Sequence, residues 1–363
     1  MEMPMIKYIG SKRALLPWIV GTVEQMRSAE NFSTVVDLFS GSSRVGHALK
    51  AKGFEVTAND INTYAYVLAQ ALVEADAREY SPARVEPILA KLMSLEPKAG
   101  WFTKANCEDA RYFQPKNGAR AESIREVIKR DYSSDPLLRA ILLTSLILAM
   151  DKVDSTTGVQ MAYLKDWAPR AYNDLRLEYP SVLPGKGKAI QGDALETSQA
   201  ISADLFYLDP PYNQHSYLGN YHVWETLVRW DNPETYGIAQ KRIDVRDRKS
   251  PFNSKREAKQ AMLSLFSKIK ARHLVVSFNN EGFFAAEEIE EMLKDWGYVS
   301  RLTRQHQRYV GARIGIYNPQ GEKVGQISHT ENHEFLFVAT HSRKVYEKLQ
   351  GQESPLAEQP ALF

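Results

Sequence analysis

The stretch LFYLDPPYN at residues 205–213 places an acid, two prolines and a tyrosine directly after a short apolar run. Proline fixes its own φ at about −65° and holds the preceding residue extended. The Asp209 side chain and the Pro210 carbonyl are therefore oriented before any ligand arrives. Two fixed acceptors suit the hydrogens of an exocyclic amine and the positive charge that develops on its nitrogen during attack on a methyl group. Tyr212 could stack on a base extruded from a duplex. Taken alone, DPP is also typical of a turn that only ends a strand.

Four apolar runs that are typical of strands each end on or near an acid. In open parallel sheets the ligand lies beyond the carboxyl ends of the strands. We therefore expect these carboxylates to surround one ligand, although a doubly wound sheet whose acids merely cap helices would give the same pattern. The runs are 34–39, 54–60, 188–196 and 203–209, and the acids are Asp37, Asp60, Asp193 and Asp209.

The turn GSSRVGHA at 41–48 is similar to two kinds of phosphate-binding loop and matches neither. A dinucleotide-binding loop requires glycine where Ser43 stands, and a P-loop requires lysine and a hydroxyl residue after its last glycine. Asp60 follows Gly41 by nineteen residues, at a position where a carboxylate can accept hydrogen bonds from both hydroxyls of a ribose. A nucleoside with a cationic end and no phosphate fits this pattern. S-adenosylmethionine (SAM) has that form.

The elements that must position these residues alternate between strands and helices. A strand, a tight turn, a helix and a second strand over 34–60 predict a βαβ unit and hence a parallel sheet. A long run of helical periodicity then exceeds the length of a single crossover. We therefore predict a catalytic domain formed by 1–74 and 186–345, interrupted by a helical insertion at 75–185. The polar tail 346–363 is predicted to be disordered.

The charge of the chain is nearly balanced, with 46 Lys and Arg against 44 Asp and Glu. Any nucleic-acid surface must therefore be local. The best candidate is 240–259, where eight basic residues face three acidic ones, and the second is 301–313, which is basic and contains no acid. A solvated loop or helix face would have the same composition.

Several classes of protein are disfavoured. The single cysteine, Cys107, excludes an internal disulfide and provides no paired spacing for zinc. The amino terminus lacks a secretory pattern. The most apolar stretch, 136–150, is shorter than the roughly 20 residues that span a bilayer. We expect a cytoplasmic protein with no membrane segment and no catalytic metal.

Together these motifs resemble the DNA adenine-N6 methyltransferases of the Dam-like group, including restriction-modification methylases, over about residues 6–340. In that group an opening motif precedes the SAM loop, and DPPY follows a recognition insertion. KYIGSK, DLFSGSSRVG and DPPY match these features here. The resemblance implies an α/β fold with a Rossmann-like mixed sheet, SAM as cofactor, and methyl transfer to adenine N6 in double-stranded DNA after base flipping. It also implies that a cognate restriction endonuclease could be a partner.

The resemblance also implies roles for individual residues. The lysine of KYIGSK would meet the methionine carboxylate of SAM, Asp60 the ribose, and Asp193 the adenine amino group of the cofactor. Ile61 would be an apolar contact to that adenine. The catalytic set implied is Asp209, Pro210 and Tyr212, and the cofactor-binding set is Tyr8, Lys12, Asp37, Phe39, Gly41, Asp60, Ile61, Asp193 and Ala194.

Two further segments resemble the DNA-contacting parts of the group. YLGNYHVWETL, within a DNA-facing segment at 213–262, makes Tyr217, Asn220 and Tyr221 candidates for contacts to the flipped base or its strand. The insertion occupies the place of the target-recognition region. Its candidate contacts are Thr156, Thr157, Gln160, Tyr163, Lys165 and Arg170. Two positions depart from the pattern: Ser43 replaces a glycine and could narrow the cofactor cleft, and His215 replaces an arginine.

Two other functions fit parts of the sequence. A methyltransferase acting on RNA, or on another planar amine, could use the same DPPY chemistry. A DNA-binding partner with a degenerate methylase fold is the other alternative, and the intact Asp209, Lys12 and Asp60 argue against it.

Overall fold

A seven-stranded sheet organises the described part of the chain. The computed structural model describes residues 5–214, 216–307, 316–317, 323–325 and 331–350. Two short two-stranded pairings lie outside the main sheet, one within 235–242 and one within 316–325. The strands are β1 (Thr34–Asp37), β2 (Glu55–Asp60), β3 (Gly187–Gln191), β4 (Leu205–Leu208), β5 (Thr235–Tyr236), β6 (Lys241–Arg242), β7 (His273–Asn279), β8 (Tyr298–Gln307), β9 (Ile316–Tyr317), β10 (Lys323–Gly325) and β11 (Glu331–Thr340).

The strand order is β3-β2-β1-β4-β7-β11-β8. Strands β3, β2, β1, β4 and β7 pair in parallel, whereas β11 is antiparallel to both β7 and β8. The sheet is therefore mixed, as predicted. From β1 the chain moves outward to β2 and β3, and it then returns to β4 on the other side of β1. This change of direction creates a crevice beyond the carboxyl ends of β1 and β4, where open α/β sheets bind ligands.

Helices cover the sheet and make up about half of the predicted insertion. Helix α7 (Pro136–Lys152) is apolar on all sides and is buried along most of its length. It packs against α3 (Thr63–Ala69) and against a π-helical turn, Gln70–Glu74, that continues α3. The helices are α1 (Leu16–Ala29), α2 (Arg44–Ala51), α3 (Thr63–Ala69), α4 (Pro82–Met93), α5 (Trp101–Thr103), α6 (Pro115–Asp131), α7 (Pro136–Lys152), α8 (Ala194–Ala200), α9 (Tyr217–Asn220), α10 (His222–Arg229), α11 (Ala258–Lys268), α12 (Ala286–Leu293) and α13 (Arg343–Leu349).

The predicted insertion does not have a core of its own. The hydrophobic cluster that contains α6 and α7 also contains Tyr64 of α3 and Trp224 of α10. Trp230, directly after α10, packs 5.5 Å from Phe102 between ring centroids. The helical region is therefore tied to the segment that follows DPPY by shared apolar burial.

Two predicted elements differ from the structure. The strand predicted at 188–196 ends at Gln191, and α8 begins at Ala194, because Asp193 caps that helix. Helix α13 continues to Leu349, which is 2% exposed, so the first residues of the predicted tail 346–363 are ordered. Residues 351–363 lie outside the described residues.

No helix in the described ranges is long and apolar enough to cross a membrane. The described side chains also contain no group of three His, Cys, Asp or Glu arranged to hold a metal ion.

Candidate active site

One cavity occupies the crevice between β1 and β4. Its walls come from the opening motif, the ends of β1, β2 and β4, and the turn after β3. Asp209 and Tyr217 lie on the same walls as the residues predicted to bind the cofactor. The structure thus brings the amine-accepting acid and the predicted cofactor site together. The lining residues from that predicted set are Tyr8, Lys12, Asp37, Phe39, Gly41, Asp60, Ile61, Asp193 and Ala194.

The turn after β1 needs glycine at position 41 for two reasons. Gly41 has a φ of +49°, and a Cβ built on it would lie 2.9 Å from the Tyr8 hydroxyl. Its N–H donates to Asp60 Oδ2 at 3.0 Å, which fixes the turn against the end of β2. Ser43 adopts a left-handed conformation with φ 60° and is fully buried outside the cavity wall. The predicted narrowing of the cleft by Ser43 is therefore not seen.

Asp37 is a buried acid with an unused acceptor. Its Oδ2 accepts from the Gly46 N–H at 2.9 Å, but its Oδ1 has no hydrogen-bond partner among the described residues. Burial raises the pKa of Asp37 to about 7; the Gly46 N–H opposes the rise, and the carboxylates of Asp209 and Asp60 add to it. A buried acceptor without a partner is costly, so Asp37 suits a ligand that brings a donor or a positive charge.

Some of the acids also cap helices, as the alternative interpretation predicted. Asp193 is the N-cap of α8 and accepts from the Leu195 N–H at 2.8 Å. Asp37 accepts from the first turn of α2 in the same way. Asp60 Oδ1 accepts from the Asn62 N–H at 2.9 Å, and burial raises its pKa. Helix capping and cavity lining are thus combined in the same carboxylates.

Lys12 forms an ion pair with Asp209 on the cavity wall. The Nζ to Oδ1 distance is 2.9 Å, and the side chains are 6% and 18% exposed. Burial works against the charge of Lys12, but the Asp209 carboxylate raises the Lys12 pKa well above its ordinary value. Burial raises the pKa of Asp209, and Lys12 opposes that rise. A Lys12 contact to a cofactor carboxylate remains a prediction, because in this structure its ammonium meets Asp209.

A stack of tyrosines fixes the opening motif. The Tyr8 ring lies between Tyr217, 5.2 Å away at 13°, and Tyr221, 4.7 Å away at 11°. The Ile9 N–H donates to the Tyr221 hydroxyl. Asn220 and Tyr221 are only 2% and 1% exposed. These two residues pack in the interior of the unliganded protein, and their DNA contacts stay a prediction, whereas Tyr217 lies on the cavity wall.

Pro210 and Tyr212 flank the cavity but do not line it. Pro210 is buried. The Tyr212 ring packs on Phe278 with centroids 5.5 Å apart, and its hydroxyl accepts from Asn279 Nδ2 at 3.2 Å. His215 lies outside the described residues. Asp209 is thus the member of the predicted catalytic set that faces the cavity directly.

Several predicted recognition residues have structural roles. Thr156 and Gln160 are buried, and Gln160 Oε1 accepts from the Val223 N–H at 2.9 Å. Arg170 Nε donates to Asp154 Oδ1 at 2.7 Å. Thr157 and Lys165 are exposed, and Tyr163 is partly exposed. Direct base contacts by Thr156, Gln160 and Arg170 would therefore require rearrangement.

The basic segment 240–259 was predicted as a nucleic-acid surface, and only part of it is free for that role. Arg242 is 2% exposed and pairs with Asp231 at 2.7 Å. Residues 247–253 instead supply a wall of the cavity, which sequence reasoning missed. The exposed cations of this segment that pair with no carboxylate of the described residues are Arg246, Lys249, Lys255, Arg256 and Lys259.

Comparison with known proteins gives this site a family. A model of the D12 class N6 adenine-specific DNA methyltransferases matches residues 8–292. The chain belongs to this family. The match spans the opening motif, the SAM-like turn and DPPY, and it confirms the predicted kind of methyltransferase.

Relatives of this family member carry the names of modification enzymes. It is 32% identical over 306 residues to "Modification methylase StsI" of Streptococcus sanguinis, covering 80% of this chain and 46% of the relative. It is 32% identical over 310 residues to "Type II methyltransferase M.FokI" of Planomicrobium okeanokoites, covering 80% of this chain and 47% of the relative. It is 27% identical over 334 residues to "Type II methyltransferase M.NlaIII" of Neisseria lactamica, covering 89% of this chain and 98% of the relative. The chain therefore spans about half the length of the first two relatives and nearly all of the third.

Membership of a methyltransferase family implies a methyl donor. The described residues fit a cationic donor, since Asp37 Oδ1 is a buried acceptor without a partner among them.

Proposed function

We propose that this protein transfers a methyl group from SAM to N6 of adenine in double-stranded DNA, as the modification part of a restriction-modification system in the cytoplasm. One observation carries the proposal: Asp209 of DPPY opens onto the same cavity as Asp37, Gly41 and Asp60, in a chain of the N6-adenine family. A cognate endonuclease acting on the same site is the partner that this function implies.

The acids of the cavity suit the polar groups of SAM. Asp37 Oδ1 would meet the positively charged methionine end. Asp60 is fixed by the Gly41 and Asn62 N–H groups and would accept hydrogen bonds from the ribose hydroxyls. Asp193 would face the adenine amino group, with Ile61 and Ala194 beside the ring. SAM supplies a methyl group activated by its sulfonium.

The substrate amine would be held by Asp209 and the Pro210 carbonyl. Both acceptors are fixed by the following prolines, so they need no reorganisation as positive charge develops on the nitrogen. Such preorganised stabilisation is worth roughly two to three powers of ten in rate. The ammonium of Lys12, 2.9 Å from Asp209, favours the carboxylate form despite burial. Tyr212 and Tyr217 offer aromatic rings to an extruded base.

The substrate class is tested by offering unmethylated duplex DNA and structured RNA separately, with methyl-labelled SAM. We expect N6-methyladenine in the DNA and no label in the RNA. The Asp209→Ala variant should lose transfer while retaining SAM binding. If the label were found only in RNA, the substrate would be RNA and not DNA. Unchanged methylation by Asp209→Ala in a reconstituted system would favour the non-catalytic partner.

A further inference from the structure

Residues 247–253, which we call the strap, connect two sides of the cavity. At one end Arg248 Nη2 donates to the Ile61 carbonyl at 3.4 Å. At the other end Asn253 Nδ2 donates to the Asn213 carbonyl at 2.8 Å. Between them the Phe252 ring packs edge-on against Phe39, with centroids 5.2 Å apart at 83°. The strap thus contacts both the segment after β2 and the segment after DPPY.

Arg248 is held by a carboxylate that is fully buried. Glu225, on α10, is 0% exposed, and its Oε1 accepts from Arg248 Nη1 at 2.9 Å. The same Oε1 accepts from Thr63 Oγ1 at 2.8 Å, and Oε2 accepts from the Tyr64 N–H at 3.1 Å. A buried carboxylate requires such partners to offset its lost hydration. Glu225 therefore fixes the strap and the first turn of α3 together.

This connection sets the geometry beside Asp60. Helix α3 begins three residues after Asp60, and Ile61 lies between them on the cavity wall. Because Glu225 binds both α3 and Arg248, the strap cannot shift without changing the wall next to Asp60. Arg248, 29% exposed in its side chain, is the group that transmits this constraint.

We propose that Arg248 is a positioning residue for the methyl donor, and that the strap is the wall that encloses the nucleoside end of SAM. The inference rests on the proposed function, because it takes SAM as the ligand. Arg248 acts through Ile61 and the strap and does not participate in the transfer itself. Its loss should therefore weaken donor binding more than it slows the chemical step.

The experiment measures the dissociation constant of SAM by calorimetry for the full chain and three variants. Arg248→Ala should bind SAM roughly tenfold more weakly, a change equal to about 1.4 kcal/mol. Arg248→Lys should recover part of the loss, since lysine keeps a charged donor near Glu225. Arg246→Ala is the matched control. Arg246 lies two residues away, is exposed, and its Cζ lies 4.0 Å from the Tyr236 ring centroid.

Steady-state kinetics separate positioning from general damage. Arg248→Ala should raise KM for SAM about tenfold and change kcat much less, with the melting profile of the unliganded protein preserved. If that variant does not fold, Arg248→Gln provides the same comparison with a neutral side chain of similar length. Wild-type affinity in the Arg248 variants, or an equal loss in Arg246→Ala, would overturn the inference alone. No SAM binding by the wild-type protein would overturn the proposed function, and this inference with it.

Discussion

At the scale of the single residue, Asp37 links donor binding to pH. Its pKa is raised to about 7 by burial, so the acid is partly protonated near neutrality. A cationic ligand at its unpaired Oδ1 favours the carboxylate, and binding should then release a proton. We predict that SAM affinity rises as the pH increases from about 6 to about 8. Calorimetry in buffers with different ionisation enthalpies measures the proton release directly.

The Asp37→Asn variant is the control for this prediction. Its SAM affinity should be weaker and nearly independent of pH over that range. Because the pKa of Asp37 is raised in the folded state, protonated Asp37 contributes to the free energy of unfolding. This contribution is fully present below the ordinary aspartate pKa and is lost as the pH rises through about 7. The unliganded wild type should therefore lose stability relative to Asp37→Asn across neutrality. If SAM affinity and stability depended on pH in the same way in the wild type and in Asp37→Asn, the account would be contradicted.

Gly41 allows a second residue-level test. A Cβ at this position would lie 2.9 Å from the Tyr8 hydroxyl and 3.0 Å from the ring, so Gly41→Ala should displace Tyr8 and weaken SAM binding at least about tenfold. Gly53→Ala is the control, because Gly53 also has a positive φ, +80°, but open space around its Cβ. It should lose about 1 kcal/mol of stability and keep its SAM affinity. Equal loss of SAM binding in both variants would show that backbone strain, and not the clash, is responsible.

Residue roles were predictable where they depend on local chemistry. The two prolines restrict Asp209 from its immediate neighbours, and the turn at Gly41 needs a residue without a side chain. The burial of Asn220 and Tyr221 was not predicted, because it depends on Tyr8 and on the helical region, both distant in sequence. Arg248 looked like one more cation in a basic stretch, since its partner Glu225 is apparent only in the fold.

At the scale of elements, Asp154 joins the opening motif to the segment after α7. It is 3% exposed and pairs with Lys7 at 3.1 Å and with Arg170 at 2.7 Å. Replacing this buried carboxylate by an amide removes its charge-assisted bonds to Lys7 and Arg170, whose side chains are each 37% exposed. Asp154→Asn should therefore destabilise the protein by about 2 kcal/mol, the range of a lost hydrogen bond to a charged group, measured as a lower midpoint of urea unfolding.

The comparison for Asp154 is an exposed ion pair. Asp174, 72% exposed in its side chain, pairs with Lys116 at 2.6 Å. Asp174→Asn should change stability by less than about 1 kcal/mol, as solvent-exposed pairs do. Similar unfolding midpoints for the Asp154 and Asp174 variants would mean that the cluster around Lys7 does not hold the opening motif.

The boundaries of elements were less predictable than their order. A helix-start signal precedes α8: Gly192 is followed by Asp193, and Glu196 stands at the third helical position. The apolar residues around this signal obscured it. The all-round apolar character of α7 indicated burial on every side. Its packing partners in α3 and α10 could not be named from the sequence, because they are brought together only by the return of the chain to β4.

At the scale of the whole molecule, the free positive charge next to the cavity is concentrated on one segment. Lys249 lines the cavity, and Lys255 and Arg256 follow on the exposed side of the same segment. We propose that these cations contact DNA phosphates. Because each neutralised phosphate contributes about 0.9 to the salt dependence of binding, the double change Lys255→Glu and Arg256→Glu should lower DNA affinity and reduce the log–log salt slope by about 2.

The control exchanges two exposed lysines elsewhere, Lys91→Glu on α4 and Lys129→Glu on α6. It produces the same change in net charge and should leave most of the DNA affinity and salt slope intact. SAM binding should be unchanged in both double variants. If the control loses as much DNA affinity as the double variant near the cavity, the attraction comes from the net charge and not from this segment.

The proposed methylation of adenine is tested most directly by methylation-aware sequencing of DNA from cells that express the protein or its Asp209→Ala variant. We predict N6-methyladenine at one short recurring sequence with the wild type and none at that sequence with the variant. Unmodified adenine in both, methylation confined to cytosine, or the same adenine methylation with Asp209→Ala would contradict the account.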